Sequence, residues 1–152
     1  MLPKNQFSRE LAESVDLEVK DCTQWPAGGK YSVPDIGFST FDDLKDYIGS
    51  PGEGNAWHHI VEQSQIKNSG FSVNKVHNVN NIIALPNGKG SIHAKISGHY
   101  SSKPDFTNGL TVRQWLTGKS FEEQFDYGIE ILSQYGEVTE TDIGWKFIPY
   151  NE

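Results

Sequence analysis

Two short apolar runs separated by a polar stretch constrain the fold of this chain more than any other sequence feature. The first run, 56–61, contains two adjacent histidines, and the second, 81–85, is followed by the turn signature Pro86-Asn87-Gly88. Runs this short, bounded by turn residues, predict β-strands. The polar stretch 63–80 predicts a loop, and 91–97 predicts a short helix that ends at Gly98. The centre of the chain therefore has the predicted order strand, loop, strand, helix.

Capping patterns predict helices on both sides of this centre. The three patterns are Thr40 with Asp43, Thr111 with Gln114, and Ser120 with Glu123. Residues 137–148 predict a closing pair of strands, and 8–15 predict a helix near the N-terminus. We therefore expect an α+β fold in a single domain, with residues 1–40 as an N-terminal extension that packs on the core formed by 41–152.

The charge is distributed unevenly along the chain. The net charge of −7 argues against a nucleic-acid ligand, because Lys and Arg side chains usually drive such binding. However, residues 56–109 carry two acids and five lysines, which makes this segment +3, whereas 1–55 and 110–152 are −5 each. All five histidines lie in the same central segment. Phosphate chemistry is therefore compatible with the centre, and the acidic flanks suit a basic protein partner.

Cysteine content and hydropathy exclude several classes of protein. The single cysteine, Cys22, cannot form an internal disulfide or a Cys-rich metal site. Any metal would therefore be bound through His, Asp, Glu or Asn side chains. The sequence has no apolar run of the roughly 18 residues that a membrane span needs and no secretory signal at its start, so we expect a soluble chain.

The histidines of the first predicted strand suit hydrolysis of a phosphodiester, which requires a base, a cation and a group that aims the base. Adjacent residues on a strand point to opposite sides, so His58 and His59 are expected to have different roles. A histidine on the following helix, His93, can complete a metal site, and the amide of Asn81 can hydrogen-bond the base or hold its loop. Trp57 is predicted to anchor the hairpin, and His77 is predicted to be a loop residue.

Trp57-His58-His59-Ile60-Val61-Glu62-Gln63, followed by Asn80-Asn81-Ile82-Ile83-Ala84-Leu85-Pro86 and then His93, resembles the His-Me finger (ββα-metal) nucleases. The resemblance is to the Trp-His-His type of the HNH/endonuclease VII group, which occurs as C-terminal toxin domains of bacterial polymorphic toxins. It runs from about Phe41 to near Tyr135, so that 41–152 would be an HNH-like nuclease domain with a ββα-metal core surrounded by helices.

The resemblance implies a role for each of the matched residues. His59 would be the general base, Asn81 the central asparagine of the motif, and His58 and His93 the ligands of one divalent ion (Mg, Mn, Zn or Ni). It also implies a toxin that is delivered to the cytoplasm of a target cell and neutralised by a cognate immunity protein. We expect a DNA endonuclease on this basis.

The chain departs from the family pattern one helical turn after His93. The family often has a second histidine there, whereas this chain has Ser97, with His99 two residues further on. Residues six apart lie on different faces of a regular helix, so His99 can join His93 only if the helix breaks at Gly98. Glu62 is an alternative ligand, although a solvated position at the strand end is favoured for it. Lys95 and Lys103 are candidate phosphate contacts.

The sequence leaves two other functions open. A ribonuclease on the same scaffold would differ from a DNase in its substrate, and attack by the RNA 2′ hydroxyl would not need the metal. A non-catalytic module would use the histidines to bind a structural metal and the acidic flanks to bind a protein. Structural zinc normally has four protein ligands, and the shortage of candidates here favours an open catalytic site.

Overall fold

A computed structural model describes residues 31–150 of the chain. The chain divides into two units, 1–32 and 33–152, and the elements given below belong to the second. The predicted helix at 8–15 and most of the predicted N-terminal extension lie outside the described residues. The second unit has a mixed α+β fold, as predicted. In chain order its elements are α1 (Phe41–Ile48), β1 (Asn55–His59), α2 (Gln65–Asn68), α3 (Val73–Val76), β2 (Ile82–Pro86), α4 (Ile92–Ser101), α5 (Val112–Leu116), α6 (Phe121–Ser133), β3 (Gly136–Thr141) and β4 (Gly144–Pro149).

Strands β1 and β2 form an antiparallel pair, in which His58 lies opposite Ile83 and His59 opposite Ile82. The pairing extends one residue beyond β1, since the amide of Ile60 donates to the carbonyl oxygen of Asn81 over 2.8 Å. Both predicted strands are therefore confirmed. Because the strands are antiparallel, the start of β2 lies beside the end of β1. The residues that immediately precede β2 therefore lie near His58 and His59.

The segment between β1 and β2 contains more regular structure than the predicted loop. Besides α2 and α3, it includes a 3-10 turn at Val79–Asn81. The side chain of Gln65 in α2 is buried and donates to the carbonyl oxygen of Arg113, while its own oxygen accepts from Ser69. Such a short helix has little stability by itself, and the tertiary hydrogen bond from Gln65 to Arg113 helps to hold α2 in place. Some of the polar residues of this segment are therefore buried and hydrogen-bonded, although others are exposed.

Helix α4 follows β2 and is longer than predicted. Its N-cap is Ser91, whose hydroxyl accepts from the amide of Ala94, and the helix continues through Gly98 to Ser101. The predicted end at Gly98 is therefore wrong. A mid-helix glycine costs about 1 kcal/mol relative to alanine. The buried side chains of Ile96 and Tyr100, one on each side of Gly98, offset this cost.

The three capped helices and the closing hairpin occur where the sequence predicted them. Thr40 caps α1, and Thr111 and Ser120 form complete capping boxes at the starts of α5 and α6. Strands β3 and β4 pair in antiparallel register. None of the helices within 31–150 is both long and apolar enough to cross a membrane.

Residues that precede β1 in the chain and residues that follow β2 both pack against this strand pair. Trp57 of β1 packs against the core cluster around Leu44 and Ile82, and its indole nitrogen donates to the carbonyl oxygen of Gly49. This confirms Trp57 as an anchor of the hairpin. A Cβ at Gly128 of α6 would lie 2.7 Å from the carbonyl oxygen of Ile60, so only glycine allows this close approach. The histidines are thus held against a closely packed scaffold.

Candidate active site

The ring of His58 in β1 lies next to the ring of His93 in α4, the helix that follows β2. Their ring centroids lie 5.6 Å apart and the rings are nearly perpendicular, at 85°. The side chain of His58 is only 8% exposed, and its Nε2 atom is buried without a hydrogen-bond partner among the described residues. An unpaired buried polar atom is costly, by about 1 to 3 kcal/mol. A ligand bound to this nitrogen would remove that cost.

The side chain of His59 lies in a different environment. Its Nε2 atom is 3.2 Å from Nδ1 of His77, which makes a hydrogen bond between the two buried imidazoles. The edge of Phe41 packs against the His59 ring at a centroid distance of 4.6 Å. His58 and His59 thus have separate partners, as the alternation of side chains along a strand requires.

Both strand histidines are neutral at physiological pH. Burial lowers the pKa of His58 to about 3, with a smaller contribution from the neighbouring His93. Burial, followed by the proximity of His77 and His58, also lowers the pKa of His59 to about 3. Only a neutral imidazole has a free lone pair for a metal ion or a proton. Both rings are therefore in the form that has a free lone pair.

The side chain of Asn81 binds main-chain groups on both sides of the segment between β1 and β2. None of its described hydrogen bonds is to the side chain of His59. Its side chain is 0% exposed. The Oδ1 atom accepts from the amide of Val61 over 2.9 Å, while Nδ2 donates to the carbonyl oxygens of Val61 and Val76 over 3.0 and 2.9 Å. These three hydrogen bonds of the amide fasten the end of β1 to the segment before β2.

His99 lies on a different face of α4 from His93. Because α4 does not break at Gly98, the two side chains do not meet; instead, Nε2 of His99 lies 2.6 Å from the hydroxyl of Tyr127 on α6. Burial lowers the pKa of His99 as well. Within residues 31–150 there is no group of three or more His, Cys, Asp or Glu side chains placed to hold one metal ion. Of the candidate ligands, the described structure brings only His58 and His93 next to each other.

Glu62, the acid nearest to the histidines in sequence, is not at a solvated strand end as favoured above. It forms a bidentate ion pair with Arg113 of α5, with N···O distances of 2.8 and 2.7 Å. Arg113 also donates to the hydroxyl of Ser101 at the end of α4. Since both carboxylate oxygens are paired, Glu62 connects β1 to α4 and α5 and is not available as a metal ligand.

The two candidate phosphate contacts are exposed. Lys95 projects from α4, the helix that carries His93, and Lys103 follows the end of that helix. Their exposure leaves both ammonium groups accessible to a phosphate.

The contact of His77 with His59 was not predicted from the sequence. His77 was predicted only to be a loop residue, yet its ring is 7% exposed and pairs with His59. The predicted strands could have indicated this contact. If β2 pairs antiparallel with β1, the residues before Ile82 lie close to the end of β1. Comparison of the chain with protein-family models, with curated proteins and with solved structures found no match.

Proposed function

We propose that this chain is a metal-dependent endonuclease that hydrolyses phosphodiester bonds of DNA. The observation that supports this most strongly is the buried Nε2 atom of His58, which has no hydrogen-bond partner among the described residues and belongs to a ring that packs against His93. The adjacent His59 is a second neutral histidine with a partner of its own. The order of β1, β2 and α4 supports the proposal further, because two strands and a helix bearing these histidines are what a ββα-metal core would require.

The donor set fits a divalent cation with open coordination positions. His58 and His93 would hold the ion, and imidazole nitrogen suits Zn²⁺, Ni²⁺ and related metals. With two described protein ligands, positions remain for water and substrate, which is the pattern of a catalytic rather than a structural site. When bound, the cation supplies positive charge that stabilises the negative charge developing on the phosphate.

His59 would act as the general base. Its neutral ring accepts a proton from a water molecule, the water oxygen forms a bond to phosphorus, and the bond from phosphorus to the leaving 3′ oxygen breaks. The leaving oxygen then takes up a proton from solvent. Asn81 would contribute indirectly, by holding the main chain at Val61 and thereby the strand end that carries His59.

The biological setting follows from the resemblance in the sequence. We propose that the chain acts as an antibacterial toxin domain in the cytoplasm of a target cell and that a cognate immunity protein binds it. The acidic composition of the flanks supports a basic surface on this partner, and α1 exposes Asp42, Asp43 and Asp46.

Metal removal tests the proposed function directly. Plasmid cleavage is expected to stop in EDTA and to return on addition of Mg²⁺, Mn²⁺, Zn²⁺ or Ni²⁺. Each of His58→Ala and His93→Ala is expected to weaken metal binding at least ~10-fold, measured by calorimetry, together with cleavage, because each removes a ligand nitrogen. His59→Ala serves as the matched comparison, since it should lose cleavage while retaining metal.

Three outcomes of this experiment would contradict the proposal in different ways. Unchanged metal binding in His93→Ala would remove that residue from the site. Cleavage of total RNA that persists in EDTA would favour a ribonuclease that uses the 2′ hydroxyl. Metal binding without cleavage of DNA or RNA, with any of the four metals, would favour a metal-stabilised binding module.

Exchange of Lys95 and Lys103 for Gln is expected to flatten the salt dependence of DNA binding. Each lost phosphate contact reduces the log-log slope by roughly 0.9 on duplex DNA, or about 1.8 for both. Fluorescence anisotropy with metal present, in a His59→Ala background that spares the DNA, measures the slope. The control, Lys67→Gln with Lys146→Gln, removes two other exposed lysines and should change the slope less. A slope for the Lys95 and Lys103 double variant equal to that of its His59→Ala parent would show that these lysines do not contact phosphate.

A further inference from the structure

The buried hydrogen bond between His59 and His77 is not used by the reaction described above. It joins Nε2 of His59 to Nδ1 of His77 over 3.2 Å, with the rings inclined at 73°. Two neutral imidazoles share one proton in such a contact, so one nitrogen must donate and the other must accept. The direction of this hydrogen bond determines which nitrogen of His59 keeps its lone pair.

Only one direction of the hydrogen bond is compatible with a base at position 59. If His77 donated through Nδ1, the proton of neutral His59 would be on Nδ1, and both ring nitrogens of His59 would be occupied. If Nε2 of His59 donates to Nδ1 of His77, the Nδ1 atom of His59 keeps a free lone pair. A base therefore requires His77 as an acceptor, and His77 then carries its own proton on Nε2.

His77 is itself held in place by both main-chain and aromatic contacts. Its amide donates to the carbonyl oxygen of Val73 in α3, and its carbonyl oxygen accepts from the amide of Phe38. Its ring stacks on Phe41 of α1 at a centroid distance of 5.9 Å and an angle of 6°. Because Phe41 also packs against His59, one aromatic side chain from α1 aligns both histidines.

We propose that His77 is a positioning residue that fixes the ring orientation and tautomer of His59, so that Nδ1 of His59 is the nitrogen that takes the proton from water. This inference rests on the proposed nuclease function. When His59 gains its proton, Nε2 still donates to His77, so the hydrogen bond is kept through the reaction and no rearrangement of the buried pair is needed.

Two substitutions at residue 77 separate hydrogen bonding from packing. His77→Asn keeps an acceptor oxygen near the position of Nδ1 but loses the ring that stacks on Phe41. His77→Phe keeps a stacked ring but loses the acceptor. We expect kcat of His77→Phe to fall by roughly 10- to 100-fold with KM and metal affinity little changed, and kcat of His77→Asn to fall by less. A purely structural role predicts the opposite order, because His77→Phe preserves the packing.

Proton NMR of the metal-free protein gives a readout that does not depend on activity. The Nε2 proton of His59 is expected as a downfield resonance, protected from exchange with solvent, that is retained in His77→Asn and lost in His77→Phe. A proton on Nδ1 of His59 in the wild type would overturn the proposal. So would loss of metal binding in His77→Phe, since this would make His77 a ligand.

The kinetic and spectroscopic results distinguish failure of this inference from failure of the proposed function. A wild-type protein that cleaves nothing would refute the nuclease, while the NMR experiment would still report the direction of the hydrogen bond. An active wild type whose His77→Phe variant retains full kcat would refute the positioning role alone.

Discussion

His59→Ala is expected to lower kcat for DNA cleavage by roughly 10²- to 10⁴-fold, the usual contribution of a positioned general base. The structure separates this side chain from the His58 and His93 pair, because its partners are His77 and Phe41. Metal affinity should therefore remain close to that of the wild type. Single-turnover cleavage of plasmid at saturating metal, together with calorimetry of the metal alone, measures both quantities.

Two controls protect this result from a trivial explanation. Circular dichroism and a urea titration establish that His59→Ala is folded, since the substitution leaves space beside Phe41. Expression in the bacterial cytoplasm should arrest growth for the wild type and not for the variant, provided that the chain acts as a toxin. A folded His59→Ala protein that cleaves DNA at nearly the wild-type rate would remove His59 from the mechanism.

Asn81→Ala is expected to lower the free energy of unfolding by about 3 to 5 kcal/mol, a large part of the 5 to 15 kcal/mol typical of a domain. The substitution leaves the amide and carbonyl groups of Val61 and the carbonyl group of Val76 without their partner in a fully buried location. Unpaired buried groups of this kind are among the recognised causes of severe destabilisation by point mutation. Urea denaturation monitored by tryptophan fluorescence measures the loss.

The neighbouring residue provides a matched control for Asn81. The hydrogen bonds described for Asn80 are made by its main chain, which accepts from Trp145 and donates to Asn78, and its side chain is half-buried. Asn80→Ala should therefore change the stability by less than about 1 kcal/mol. An Asn81→Ala variant that is as stable as the wild type and yet inactive would contradict the expected loss of stability. Asn81 would then act on the reaction itself, and not by holding the main chain at Val61 and Val76.

Elements defined by contacts between near neighbours in the chain were predictable from the sequence. The capping boxes at Thr111 and Ser120 and the cap at Thr40 occur as predicted, because a cap is a hydrogen bond between residues three apart. The strands β1 and β2 were predictable for a similar reason, since turn residues bound short apolar runs. The same local logic placed His58 and His59 in different environments.

Several features of the site depended on contacts between distant parts of the chain. The length of α4 is one of them, because burial of Ile96 and Tyr100 by other elements outweighs the local cost of Gly98. The ion pair of Glu62 with Arg113 spans 51 residues, and the contact of His99 with Tyr127 spans 28. No local pattern indicates such partners, so the sequence left Glu62 and His99 as possible ligands, whereas the folded chain gives each another partner.

The sequence alone determined which residues carry the candidate chemistry, namely His58, His59, Asn81 and His93, together with the strands and helix that bear them. Only the tertiary structure decided how these residues are used. It pairs His58 with His93, brings His77 to His59, and commits the Asn81 amide to main-chain groups. The physical reason is that these contacts join residues distant in the chain. The hydrogen bonds of His59 and Asn81 join residues 18 and 20 positions apart, which meet when β1 and β2 pair, and the contact of His58 with His93 needs α4 to pack beside β1.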